Sequence, residues 1–589
     1  MKNNIKSISG IFTRYIYGIT VILAVTMTIN SCSSRDDRPG ESTGTDTVLK
    51  FSIAGIENSG DITSVKNASL AGKVNSYSQL SDVIASEKTT SFGDFDIITY
   101  AEATKKDSSS GTIASTSKKM NVAASSSPMS PLVKYRIVIC YAGTNTVVAN
   151  AVGTPGVDPV ITVPSGQAYD WYAYSINEST VPAIDINGNI PRSNLINKDL
   201  LYTKSTNPII PQVGQNELNI VFNRKTVKLS VELNTRGIFG KIENNSAVEL
   251  GQDAGSGFTS IVQTGDFNVN SGTYSNLSPV PAITGSQMEN TIGAGGDLGT
   301  TKTATFYSAI GTTIPVNSLK VRLNNMNITL DDATTRSFTA NTIIPYTNTS
   351  AINTALGSEY KITAQMVESG ISVGNAVWAR TNLHYADYAT DKYRFLPHND
   401  VKIGNLLNLL NLIQLGGATS AQVKPANLYW NWNSLTPEGT PGSGDPCSKV
   451  YPEGKWKTPT QAQLSSLGAA PTDGLYADAP LLIGTAHYAT KWTAPSPSNN
   501  LYPAHSRQLF MPIYGYRSGT QIYYSAGALL SGVLGSAVSN YWSIDGNSTN
   551  GMAYTGNFNV LLGVLTLTGS LSNISTDSNR GMSVRCVKS

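Results

Sequence analysis

A chain of 589 residues carries core material for several domains, since a typical domain takes about 100 to 200 residues. Charged residues make up only 14% of it, against about 25% in ordinary soluble proteins, and Gly, Ser, Thr and Asn are abundant, a composition suited to an extracellular β-protein kept soluble by hydroxyl and amide groups. The 42 basic and 39 acidic side chains leave a net charge of +3 with no basic stripe, which removes any electrostatic basis for nucleic-acid binding.

At the amino end, Lys2, Lys6 and Arg14 precede an apolar run from Tyr15 to Ile29. A spanning helix needs about 20 apolar residues, so this run reads as an export signal. Its end, Ile29-Asn30-Ser31-Cys32, resembles a bacterial lipobox, which implies cleavage before Cys32 and attachment of lipid to its thiol, anchoring the chain in the outer membrane. Ser33-Ser34-Arg35-Asp36-Asp37 is similar to the acidic tag that sorts Bacteroidota lipoproteins to the cell surface. The expected order therefore begins with a signal peptide over 1–31 and a lipidated tether over 32–46.

From Thr47 the chain alternates strands with turns. Val48 to Ile53, Arg136 to Cys140, Tyr169 to Ser175, Leu218 to Phe222, Leu319 to Leu323 and Tyr360 to Met366 all read as strands, separated by Gly, Pro, Asn and Ser groups. Val227 to Leu233 alternates strictly and so places Val227, Leu229, Val231 and Leu233 on one face. The pattern predicts sandwiches. Thr104 to Pro131 is Ser-rich, with few large apolar residues, and reads as a mobile loop. Cys140 falls inside an apolar strand and is expected to be a buried thiol; Cys447 and Cys586 are expected to pair and close a long loop.

Tyr135 to Ile139, followed by Gly166-Gln167-Ala168-Tyr169-Asp170-Trp171-Tyr172-Ala173-Tyr174-Ser175-Ile176-Asn177, resembles the N-terminal domain of the Bacteroidota type V fimbrillins. Leu218 to Arg224 with Lys225 to Leu233 resembles the entry to their second domain. The resemblance implies two transthyretin-like β-sandwiches, 47–222 and 223–369, and partnership with other fimbrial subunits by donor-strand exchange, in which an added strand completes an open sheet. It also implies maturation by an arginine-specific protease. Arg35 and Arg38 are the candidate processing sites, and cutting at either would release the lipid while keeping Val48 to Ile53.

The last third differs. It holds Trp378, Trp430, Trp432, Trp456, Trp492 and Trp542, six of the seven tryptophans, which marks a separate domain over 370–589. Asn405 to Leu415 reads as a helix, and Thr458 is the expected cap of another, with Pro459 at its first position, Gln461 closing a capping box and Leu464 and Leu467 facing inward. Asp445-Pro446-Cys447 and Gly454 to Gln461, then Leu509 to Arg517, Asn540 to Ser543 and Arg580 to Lys588, resemble in order the α+β fold shared by C-type lectins and the formylglycine-generating enzyme. That resemblance implies an adhesive domain. Tyr429, Trp430 and Trp432 are the candidate ligand contacts, since Trp430 and Trp432 would share one face of an extended segment, with core packing as the competing assignment.

Nothing points to catalysis. His384, His398, His487 and His505 lack metal-ligand spacing, and no nucleophile elbow, P-loop or zinc-protease motif occurs. No metal, cofactor or catalytic residue is expected. The whole reads as a surface-exposed fimbrial tip or accessory subunit, binding a host, bacterial or glycan ligand through its carboxyl end. The alternatives are a free-standing glycan-binding lipoprotein and, behind it, a degenerate enzyme of the formylglycine-generating fold.

Overall fold

The computed structural model describes residues 46–57, 81–93, 95–104, 126–291, 297–399, 418–419, 426–468, 475–478, 487–493, 508–523, 534–561 and 564–589. Cys32, Arg35, Arg38, the expected helix Asn405 to Leu415 and most of the Ser-rich stretch lie outside these residues. Among the described residues the protein is mainly β, and the residues from Thr47 onward form one compact unit, in which the sheets group into three lobes around separate cores.

In the first lobe one sheet is nearly closed into a barrel. Its order is 126–127, 46–57, 214–224, 201–204, 169–175, 135–141 and 147–153, and the strand Val160–Pro164 returns to pair with the first strand, Asp46–Glu57. Alternation explains the inward set. Leu49 and Phe51 are fully buried while Lys50 is exposed, and the same core takes Tyr135, Ile137, Ile139, Trp171, Ile220 and Phe222. The register against 214–224 shifts between Ile53 and Gly55, and Gly55, at φ 134°, supplies the backbone that this bulge requires.

The second lobe packs a six-stranded sheet, in the order 289–290, 301–308, 227–237, 359–368, 95–104 and 81–91, over a five-stranded one that includes Ala247–Gln252 and Leu319–Asn325. Val227, Leu229, Val231 and Leu233 point into their shared core. Two of the strands come from far upstream. Ser81–Ser91 and Phe95–Thr104 lie within the sequence of the first sandwich but pair here, Ile97 opposite Met366 and Ala101 opposite Ile362. The hairpin of Gln263–Asn268 and Thr273–Pro279 in turn packs Phe267, with the adjoining Val269, against Val138, Cys140, Tyr172, Tyr174 and Tyr202 of the first lobe.

The third lobe, from Ile371 to Lys588, holds several small sheets and a long three-stranded meander, Leu534–Gly546, Asn550–Leu561 and Val564–Asp577. Its one described α-helix is Gln461–Ser465. The cap is Thr460 with Gln463 rather than the expected Thr458 with Gln461. Both pairs have the spacing of a capping box, but the Thr458 hydroxyl donates to Asp445 at 2.6 Å and so is held away from the helix, while Thr460 accepts from the Gln463 amide. Leu464 and Leu467 are buried as that helix face requires.

Candidate functional site

The first and last described strands of the chain are held in different ways. Asp46–Glu57 lies parallel to Gly214–Arg224, with Phe51 opposite Leu218, and its other edge meets Val160–Pro164 and the short strand Ser126–Ser127. Phe51 meets Trp171 edge to face with ring centroids 5.9 Å apart. Withdrawing this strand would open a slot lined by Tyr135, Ile137, Trp171, Ile220 and Phe222, with unpaired backbone on both sides.

The carboxyl end has no such freedom. Cys586 is joined to Cys447, 139 residues away in sequence, and both are fully buried. Val587 is buried and pairs with Trp378 and Lys457, and Lys588 forms an ion pair with Asp96 of the second lobe. Arg585 is wholly enclosed and bonds to Asn382 Oδ1 at 2.8 Å and to the carbonyls of Ala379 and Phe510 at 3.0 and 2.8 Å. Burial lowers its pKa, and these acceptors satisfy the guanidinium in place of a carboxylate.

The aromatics singled out as ligand contacts lie in the third-lobe core. Tyr429 and Trp430 are fully buried and Trp432 is 5% exposed. The Tyr429 hydroxyl donates to the Tyr514 carbonyl at 2.9 Å, and the Trp432 indole N–H donates to the Ser543 and Asp545 carbonyls at 3.0 Å. Trp430 and Trp432 lie in one buried cluster, and the backbone on either side of Asn431 bonds to Met582 and Ser578, so the face they share is turned into the core. None of these three rings presents a face at the surface.

Cys140 is the free thiol among the described residues, and burial followed by the neighbouring Asp170 carboxylate raises its pKa. Iodoacetamide is therefore expected to label it only after unfolding, and non-reducing peptide mapping should yield a single crosslinked pair, Cys447 with Cys586. Labelling of Cys140 in the native protein would contradict the packing of the 263–279 hairpin over it.

Sequence reasoning missed the junction between the second and third lobes. Arg394, on the short hairpin Leu383–Tyr385 and Tyr393–Phe395, bonds to Asp297 at 2.8 Å, to Asp331 at 3.0 Å and to the Phe239 carbonyl at 3.2 Å. Arg236 clasps Asp391 in the same hairpin through two bonds of 2.7 and 2.6 Å. Beside the chain crossover, Glu368 takes Arg336 at 2.7 Å and Arg380 at 3.4 Å. Burial raises both carboxyl pKa values at the Arg394 seat, but for Asp297 the Arg394 bond and the amides of Asp391 and Thr390 outweigh it and hold the pKa below its ordinary value. At Asp331 burial prevails over Arg394, and the pKa lies above the ordinary one.

Among the described residues no three His, Cys, Asp or Glu side chains meet where they could hold a metal, and no helix is long and apolar enough to cross a membrane. No family model matches the chain, and no curated protein matches it in sequence. Solved structures overlap it in part. A candidate cell adhesion protein of Bacteroides uniformis is 9% identical over 41% of this chain and 92% of its own, with a TM-score of 0.23. One from Bacteroides fragilis is 11% identical over 42% of this chain and 86% of its own, with a TM-score of 0.24. The fimbrial anchor protein Mfa2 of Porphyromonas gingivalis is 10% identical over 33% of this chain and 70% of its own, with a TM-score of 0.20.

Proposed function

We propose that the chain is a surface adhesin that joins a fimbrium through its first lobe and binds an external ligand through its last. In this reading Cys32 carries the lipid anchor, Arg35 and Arg38 are the processing sites, the first two lobes are transthyretin-like sandwiches and the third is a C-type-lectin-like domain. The observation that carries it is the contrast between the chain's two edges. The first strand is held in its sheet by backbone ladders and a few inward side chains, so a strand from another subunit can take its place. The last strand is tied down by a disulfide, a buried arginine and an ion pair to Asp96, so it cannot be given away. A subunit of this kind accepts a strand and supplies none, which suits the tip or an accessory position.

Deleting residues 370–589 tests this. The truncated protein should still be exported and still be found on filaments by immunogold labelling, and adhesion should fall to the level of cells lacking the gene. Loss of filament incorporation, with the first two lobes still folded, would mean that the carboxyl lobe belongs to the assembly joint.

A further inference from the structure

His384 lies on the strand opposite Arg394, in direct register with it and on the same face of the hairpin. It is 8% exposed, and its Nδ1 has no hydrogen-bond partner among the described residues. The charged group acting on it is Arg394. Asp297 and Asp331, from the second lobe, bind that arginine, and Tyr388 in the hairpin loop bonds to Asp331. On the hairpin itself Asp387 and Lys392 are exposed, while Asp391 is held by Arg236. Of the other elements packed on this strand, the turn Ala426–Leu428 carries no titratable side chain, and Arg585 beside Val584 is directed to Asn382 and Asn399.

We propose that this hairpin is an acid-released clamp: a proton on His384 sets a second buried cation beside Arg394 and drives the hairpin from its seat on Asp297 and Asp331. The rest of the junction, Arg380 with Glu368, Lys588 with Asp96 and Tyr451 with Asn234 and Arg236, does not pass through the hairpin and keeps the two lobes together when it is released. Asp391 travels with the hairpin, so the Arg236 contact breaks in the same step. Asp297 acts in the same direction, because the closed seat holds its pKa below the ordinary value and acid therefore disfavours closure, whereas Asp331, whose pKa the seat raises, opposes the release.

The sign follows from linkage. Burial, then Arg394, lowers the His384 pKa from 6.5 to about 4, so the closed clamp excludes a proton that the open, hydrated imidazole accepts. The group's contribution to closure is intact above pH 6.5 and is lost as the pH falls toward 4. At pH 4.5 the open-to-closed ratio should rise on the order of 50-fold over its neutral value.

Hydrogen exchange on the intact chain, corrected for intrinsic rates, reads this directly. Protection over residues 383–395 should drop by about that factor between pH 7 and 4.5, with a midpoint between 4 and 6.5, while the meander over 541–577 keeps its protection. His384→Gln cannot gain the proton and should remove most of the drop. Asp297→Asn should raise exchange of the hairpin already at neutral pH, since the seat holds that carboxylate in its charged form. The proposal is overturned by any of three results: a wild-type midpoint below 4, loss of protection in the meander together with the hairpin, or an unchanged pH profile in a folded His384→Gln protein. The wild-type midpoint decides the matter even where a variant fails to fold.

Discussion

Glu368→Gln is expected to destabilise the protein by about 3 to 5 kcal/mol, measured as a fall in the urea midpoint. Glu368 is 4% exposed and serves two guanidinium groups that are themselves almost fully enclosed, Arg336 and Arg380. Removing its charge leaves both cations in the interior without a carboxylate, and the desolvation already incurred is no longer offset. The contrast is Lys50 with Glu217, a pair 3.9 Å apart in which both side chains are well exposed. Lys50→Ala should change stability by no more than about 1 kcal/mol. Equal small effects at the two sites would show that Glu368 is not enclosed as described.

The second large effect belongs to the first strand. Replacing Leu49 and Phe51 together by alanine should weaken the first lobe by roughly 5 to 10 kcal/mol, since each is fully buried and large-to-small changes of this kind cost about 2 to 5 kcal/mol for leucine and 3 to 5 for phenylalanine. The loss should be local. Strand 46–57 pairs directly with 214–224, so the amides of both should lose exchange protection while the second-lobe core around Val231 and Ile362 keeps its own. Uniform loss across all three lobes would mean that this strand is integral to the whole rather than a replaceable piece of one sheet.

How far the sequence revealed this depends on the range of the interaction. The strand Tyr169–Ser175 occupies the span that its pattern predicts, and Val227 to Leu233 buries its alternating set, because a period of two is a local property that the sheet only has to accept. The pairing of 95–104 with 359–368 was not legible. Nothing in Phe95-Asp96-Ile97-Ile98 states which lobe its edge will complete, and a chain-order reading places it with its neighbours in sequence. The helix cap was legible in kind but two residues off, since choosing between Thr458 and Thr460 needed Asp445, which lies thirteen residues from the first of them.

The aromatics show the same limit. Alternation places Trp430 and Trp432 on a common face, but it does not say whether that face meets solvent or the core, and the strands that cover it come from the far end of the chain, around Met582. His384 read as an isolated histidine because its partner is set by a hairpin with the residues 393–395, and Arg394 in turn meets Asp297 across 97 residues. Ion pairs of that kind leave no periodic trace. The disulfide was legible for the opposite reason, that few cysteines leave few ways to pair.

The claim that the first strand is a replaceable element is tested most directly by supplying it from outside. Protein lacking residues 33–58 should be produced with its second and third lobes folded and should bind a synthetic peptide of the sequence Asp46–Glu57, saturably, with recovered exchange protection in Gly214–Arg224. A peptide with Leu49 and Phe51 changed to alanine should bind at least about 100-fold more weakly, given about 1.4 kcal/mol per tenfold in affinity. If the shortened protein remains folded and binds neither peptide, the slot does not accept a strand from another chain and the account of assembly is contradicted.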